Sequence, residues 1–180
     1  MNSTLTVNPC TEADVAVIFE IINQSAMAYK GAIPADQWHE PYMPRSELEA
    51  EIARGVTFYG CRSGGALIGV MGIEGVQDVT LIRHAYVRPE ARRAGVGGRL
   101  LTLLYQSTTR PVLIGTWKAA TWAIRFYEKN GFVLVSEAER KRLLEKYWTV
   151  PEKQKNVAVV LADARWRERM ARETGANGGV

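Results

Sequence analysis

The run Ala85-Tyr86-Val87-Arg88-Pro89-Glu90-Ala91-Arg92-Arg93-Ala94-Gly95-Val96-Gly97-Gly98-Arg99-Leu100-Leu101 constrains this chain more than any other stretch. An apolar strand pattern passes through Pro89 and two adjacent arginines into glycines at 95, 97 and 98, and continues at once as a leucine-rich helical pattern. Glycines let backbone N–H groups approach an anion without interference from a Cβ. A helix that starts there adds its free N-terminal donors and the positive end of its dipole. The layout is that of a phosphate cradle set between a strand and a helix.

A chain of 180 residues fits one domain with a short tail and is long enough to bury a substantial core. Hydrophobic content of 47% with 23% charged residues excludes the disordered and fibrous classes. The net charge of +4, from 23 basic and 19 acidic residues spread along the chain, suits an anionic small molecule and gives no basic stripe for nucleic acid. Cys10 and Cys61 lie far apart without metal-ligand spacing, so no metal is expected, and either a structural role or a disulfide fits. No basic leader precedes an apolar segment, and no apolar run approaches the roughly 20 residues of a membrane span. The expected location is cytoplasmic.

Leu5 to Val7 reads as a first strand, and Thr11 with Asp14 caps a helix of about Glu12 to Tyr29 whose stripe is Val15, Ile18, Phe19 and Ile22. From Lys30 to Pro44, three prolines and the aromatic residues Trp38, His39 and Tyr42 suit either an irregular segment shaped over a ligand or a connection that caps the core. Ser46 and Glu49 have capping-box spacing for a helix ending near Gly55. Strands Thr57 to Arg62 and Ala66 to Ile73 flank a Ser63-Gly64-Gly65 hairpin turn, and Val79 to Val87 is a third strand. The rest reads as helix Gly98 to Ser107, buried strand Val112 to Thr116, helix Thr121 to Lys129 capped by Gly131, strands Phe132 to Val135 and Val157 to Leu161, and a charged helix Glu137 to Lys146 before a turn at Pro151. Residues 1–163 then form the domain, and 164–180 a tail, partly helical or disordered, with a basic helix over Ala164 to Thr174 and a frayed Gly-Ala-Asn-Gly-Gly-Val end. Hairpins dominate the first half and strand-helix-strand units the second, which predicts a mixed α/β (α+β) fold with helices on both faces of the sheet.

Arg92-Arg93-Ala94-Gly95-Val96-Gly97 resembles the acetyl-CoA pyrophosphate loop of the GNAT superfamily of acyl-CoA-dependent N-acyltransferases. A second run, Trp122-Ala123-Ile124-Arg125-Phe126-Tyr127-Glu128-Lys129-Asn130-Gly131-Phe132, resembles the superfamily's later motif, an apolar helix that passes through Gly-Phe into the next strand. With the strand order, the resemblance covers about residues 5 to 162. One feature departs from it: where many members carry a cofactor-contacting asparagine, this chain has Ala120, so that contact is either lost or replaced by Thr116, Thr121, Trp117 or Trp122.

The resemblance implies a mostly antiparallel central sheet with a splayed central strand pair and acetyl-CoA as co-substrate. It implies a cofactor site over Tyr86, Val87, Arg92, Arg93, Ala94, Gly95, Val96, Gly97, Gly98, Trp122 and Phe126, with Arg88 and Arg99 near the phosphates. Acyl transfer to an amine needs a proton acceptor, oxyanion donors and an acid for the thiolate. Tyr127 occupies the position of the acid, and the N–H of Tyr86 or Val87 that of the oxyanion donor. For the base, strict alternation puts Leu81, Arg83 and Ala85 on the face of Val87 and His84 on the other. A β-bulge would restore His84; Glu74, His39 or a water relay are the alternatives.

Tyr29, Lys30, Ile33, Trp38, His39 and Tyr42, with Arg83 on the strand, are the candidates for acceptor binding. The expected activity is acetyl transfer from acetyl-CoA to a primary amine of a small molecule or amino-acid derivative by direct attack, since neither cysteine falls in a motif. Two other readings remain open. One is a non-catalytic acyl-CoA-binding or sensor module. The other is a protein-modifying acetyltransferase that docks through Arg165, Arg167, Arg169 and Arg172. Edge strands of this fold also allow a homodimer.

Overall fold

A computed structural model describes residues 4–176. The chain divides into two compact units, one of Met1–Gly75 with Ile82–Thr108 and the other of Val76–Leu81 with Thr109–Val180. The fold is mixed α/β, with seven strands among the described residues and antiparallel pairing throughout the registers that follow.

The first unit opens with β1 (Leu5–Pro9), then a single 3-10 turn over Glu12–Asp14 and α1 (Val15–Ala26). The Thr11 and Asp14 capping box forms as expected, the Asp14 carboxylate accepting from the Thr11 N–H at 2.9 Å. The helix is shorter than its pattern suggested, because the chain tightens to 3-10 geometry at both ends, over Glu12–Asp14 and Met27–Tyr29. Its buried residues Ile18, Ile21, Ile22, Ser25 and Ala26 follow the helical repeat of one inward face. α2 (Arg45–Ala53) begins one residue before Ser46 with Pro44 as its cap. The expected Ser46 and Glu49 box is absent, and Glu49 instead pairs with Arg45 at 2.7 Å. The rigid φ of Pro44, −58°, starts the helix without a side-chain cap.

β2 (Thr57–Ser63) and β3 (Ala66–Val76) form the hairpin, turning through Gly64 and Gly65 at φ +55° and +85°. That pair of positive φ values is the turn chemistry that two-residue hairpins require. β1 pairs with β2, and β2 with β3, where the register shifts between Cys61 and Arg62. Ile18, Ile21, Ile22, Met43, Leu48, Phe58, Leu67 and Val70 make this unit's core. Cys10 and Cys61 are free thiols. Burial first, then the Asp14 charge, pushes the Cys10 thiol up to about 11.

β4 (Val79–Val87) starts in the second unit and ends in the first, where α3 (Val96–Gln106) follows. In the second unit, β5 (Val112–Trp117), α4 (Thr121–Lys129), β6 (Val133–Leu134), α5 (Glu137–Tyr147), α6 (Glu152–Asn156), β7 (Ala158–Ala162) and α7 (Ala164–Ala176) come in order. β7 pairs with both β5 and β6. Pro151, read as a turn, caps the five-residue α6, as proline readily does at a helix start. The basic run after Asp163 is a helix whose Trp166 is 1% exposed, packed with Val79, Leu113, Leu143 and Tyr147. The final residues 177–180 of the frayed end lie outside the described residues. No helix among the described residues is long and apolar enough to cross a membrane.

Candidate active site

The cradle is built where β4 gives way to α3. A 3-10 turn at Pro89–Ala91 is followed by Arg93 at φ +68° and Gly95 at φ +77°. Two left-handed residues in three positions reverse the chain sharply, and glycine takes such a conformation without a Cβ penalty. The first helical bond runs from the Arg99 N–H to the Gly95 oxygen at 3.0 Å. The N–H groups of Val96, Gly97 and Gly98 therefore lie in the first turn, which has no acceptors within the helix. A Cβ placed on Gly98 would meet nothing within 4 Å beyond its chain neighbours and its own helix backbone. That open space at a helix start fits a phosphate group, and Arg92, Arg93, Ala94 and Gly95 are solvent-exposed beside it.

Two of the arginines expected near the phosphates are engaged elsewhere. Arg88 donates to the Leu67 oxygen (3.2 Å) and the Gln24 amide oxygen (2.8 Å), and Arg99 donates to the Leu5 oxygen (3.4 Å). They fasten the cradle to its surroundings. Arg92 reaches the Ser25 carbonyl at 3.3 Å, and the Ser25 hydroxyl donates to the Val87 oxygen at 2.9 Å. The end of β4 is thus tied to α1.

His84 decides the alternation of β4. Its φ is +51°, so strict period-two alternation fails there, and the placement of His84 on the face opposite Arg83 is corrected. Both side chains reach the same carboxylate, that of Glu51 on α2: Arg83 Nη1 at 2.9 Å and His84 Nε2 at 3.2 Å from Oε2. Arg54 also pairs with Glu51. The Phe58 ring stacks on the imidazole with centroids 5.8 Å apart and planes 25° apart. Burial pushes the Glu51 carboxyl up, but the His84 hydrogen bond and the charges of Arg83, His84 and Arg54 outweigh it, so the net shift is downward. Glu74, the other carboxylate candidate, has its Oε2 occupied by Arg83 Nη1 at 2.9 Å. Glu51 escaped the sequence reading because it sits in a helix rich in surface glutamates, and only tertiary structure brings it to His84.

The segment between α1 and α2 gathers its aromatic rings. Tyr42 stacks with Tyr29 (6.5 Å), Trp38 (5.6 Å) and His39 (6.4 Å), and Tyr86 meets Tyr29 and Tyr42 edge-on at 6.2 and 6.4 Å. Glu40 ties Lys30 (2.7 Å) to the Trp38 indole N–H (3.1 Å). The His39 Nδ1 donates to the Pro41 oxygen at 2.8 Å. Ile33 is buried and serves the core. Asn23, which no motif marked, holds the segment's end by bridging the Met43 N–H (2.9 Å) and oxygen (3.0 Å).

In the second unit Tyr127 is buried on α4, edge-on to Phe126 at 5.1 Å and Phe132 at 6.3 Å. Gly131, at φ +88°, ends the helix as a left-handed cap. Trp122 is 44% exposed at the helix start, and Ala120 is fully buried. On α7, Arg169 pairs with Asp78 and Glu173, and Arg165 donates to the Arg110 oxygen at 3.2 Å.

Residues 54–134 match the family model described as an acetyltransferase (GNAT) domain, a span that includes the cradle and the Tyr127 helix. Over that span the chain is similar to a GNAT acetyltransferase domain. Solved structures share its fold. PaiA N-acetyltransferase from Thermoplasma acidophilum, in complex with coenzyme A, is 17% identical with a TM-score of 0.66, over 89% of this chain and 98% of that one. A GNAT-family acetyltransferase from Staphylococcus aureus is 15% identical, also with a TM-score of 0.66 and the same coverage of both chains. N-acetylglutamate synthase from Neisseria gonorrhoeae, complexed with coenzyme A and N-acetyl-glutamate, is 18% identical with a TM-score of 0.60, over 91% of this chain and 35% of that one. No curated protein sequence matches the chain.

Proposed function

We propose that this protein is an acetyl-CoA-dependent N-acetyltransferase that acts on a primary amine of a small molecule or amino-acid derivative by direct attack. The left-handed Arg93 and Gly95, opening into α3 directly after β4, carry the reading. The coenzyme A and N-acetyl-glutamate bound in the structures of similar fold support it. In this account the cradle N–H groups and Arg92 and Arg93 receive the pyrophosphate, with Trp122 and Phe126 contributing to the cofactor site. The N–H of Tyr86 or Val87 takes the oxyanion, where a preorganised donor acts on charge that develops only in the transition state.

His84 takes the amine proton and Tyr127 protonates the departing thiolate. Glu74, paired with Arg83, holds that guanidinium beside the strand. Tyr29, Trp38, His39 and Tyr42 shape the acceptor pocket with Arg83. The aromatic faces favour an amine carrying apolar or cationic surface, because ring faces attract both.

Release of free thiol from acetyl-CoA in the presence of a primary amine tests the proposal. Amine-dependent release supports it. Tight acetyl-CoA binding with no release for any amine would favour a sensor module instead.

A further inference from the structure

We propose that Glu51 is a positioning residue for His84, holding the imidazole with its proton on Nε2 so that Nδ1 is the nitrogen that accepts the amine proton. The inference rests on the reading of His84 as the base and adds a residue from α2, outside both motifs.

The chemistry of the contact sets the tautomer. An ionised carboxylate has no hydrogen to give, so the ring nitrogen 3.2 Å from Glu51 Oε2 is the donor. A neutral imidazole carries one N–H, which leaves Nδ1 with its lone pair. Glu51 stays ionised because Arg83 and Arg54 both engage it. Its side chain is 5% exposed, which suits a group that holds the ring and does not itself reach the amine. The Phe58 ring fixes the imidazole plane from one side.

The backbone supplies a second, independent observation. His84 sits at φ +51° in the middle of a strand, a conformation that costs a non-glycine residue energy and persists only where its surroundings impose it. Glu51 from α2 contacts the ring, Arg54 from α2 and Arg83 from β4 pair with that carboxylate, and Glu74 from β3 engages Arg83.

The step balances as follows. The amine lone pair forms the N–C bond at the thioester carbonyl, and the C–S bond breaks with its electron pair leaving on sulfur. The amine proton passes to His84 Nδ1, giving an imidazolium that the Glu51 carboxylate stabilises through Nε2–H. Tyr127 gives its proton to the thiolate and regains one from solvent, to which the imidazolium returns the proton that it took. The net change is amine plus thioester to amide plus thiol.

Nitrogen-15 NMR of histidine-labelled protein, at a pH where the ring is neutral, reads the tautomer directly. The expected result is Nε2–H with bare Nδ1 for His84 in the wild type, and loss of that preference in Glu51→Gln. In the same variant kcat falls about tenfold or more while the KM for acetyl-CoA stays within about twofold, and Glu51→Asp recovers part of the loss. An Nδ1–H tautomer in the wild type would overturn the inference, and that measurement needs no variant to fold. An unchanged tautomer in a folded Glu51→Gln protein would do the same. A wild type that shows the expected tautomer but transfers no acetyl group would overturn the functional reading, and with it the catalytic part of this one.

Discussion

Gly69 on β3 packs against Val96, the first residue of α3: a Cβ on Gly69 would lie 2.6 Å from Val96 Cγ1, 3.3 Å from Val87 Cγ2 and 3.4 Å from the Tyr86 oxygen. Val96 is buried and β-branched, so its methyl has little freedom to move aside. This close approach seats the start of the cradle helix on the sheet. Gly69→Ala should destabilise the protein by about 1–3 kcal/mol through overpacking and weaken acetyl-CoA binding. Adding Val96→Ala should relieve the clash, so chemical denaturation of the single and double variants should show coupling. Simple additivity would contradict the packing argument.

Gly98 presents the opposite case. Beyond its chain neighbours and its own helix backbone, nothing stands within 4 Å of its missing Cβ, and it lies in the first turn of α3. Gly98→Ala should leave the melting temperature unchanged or raise it, since alanine favours a helix over glycine by about 1 kcal/mol. If the space belongs to a phosphate, acetyl-CoA affinity should drop about tenfold or more, as read by titration calorimetry. Unchanged affinity would remove Gly98 from the cradle.

Tyr127 packs edge-on between Phe126 and Phe132, contacts that phenylalanine preserves. Tyr127→Phe should therefore lower kcat by about 100-fold and leave the dissociation constant for acetyl-CoA within about twofold. Wild-type turnover in this variant would end its assignment as the acid.

Asp78 anchors α7 to the second unit by accepting from the Tyr147 hydroxyl at 2.7 Å and pairing with Arg169. Burial raises its carboxyl, but the hydrogen bonds from Tyr147 and Arg169 outweigh that and bring it down to about 2. The folded value lies below the unfolded one of about 3.9, so the unfolded chain binds the proton first. The stabilisation is then fully present above about pH 4 and lost as pH falls towards about 2. Asp78→Asn should melt below the wild type at neutral pH, with the gap closing over that acidic window. A gap independent of pH would contradict the assignment.

Elements with strong local signals were legible in the sequence. The bounds of β4 and α4 agree with their patterns, because β-branched runs and an amphipathic stripe ended by Asn-Gly leave few alternatives. Pro44 displaced the Ser46 cap because its fixed φ already begins the helix. The helix after Asp163 was legible, but the burial of Trp166 was hidden, because one indole in a basic run does not announce a packed face. At the site, the cradle was legible since glycine spacing is local. The position of His84 depended on one backbone dihedral that alternation cannot foresee. Glu51, 33 positions before His84, becomes its partner only when α2 packs on the sheet.

The central claim is acetyl transfer from acetyl-CoA to an amine nitrogen. Incubating the wild-type protein with isotopically labelled acetyl-CoA and a panel of small primary amines, followed by mass spectrometry of the products, tests it most directly. The account predicts labelled N-acetyl product from at least one small amine, with one coenzyme A thiol released per amide formed. Acetyl-CoA bound tightly and recovered intact from every mixture, with no labelled amide, would contradict it.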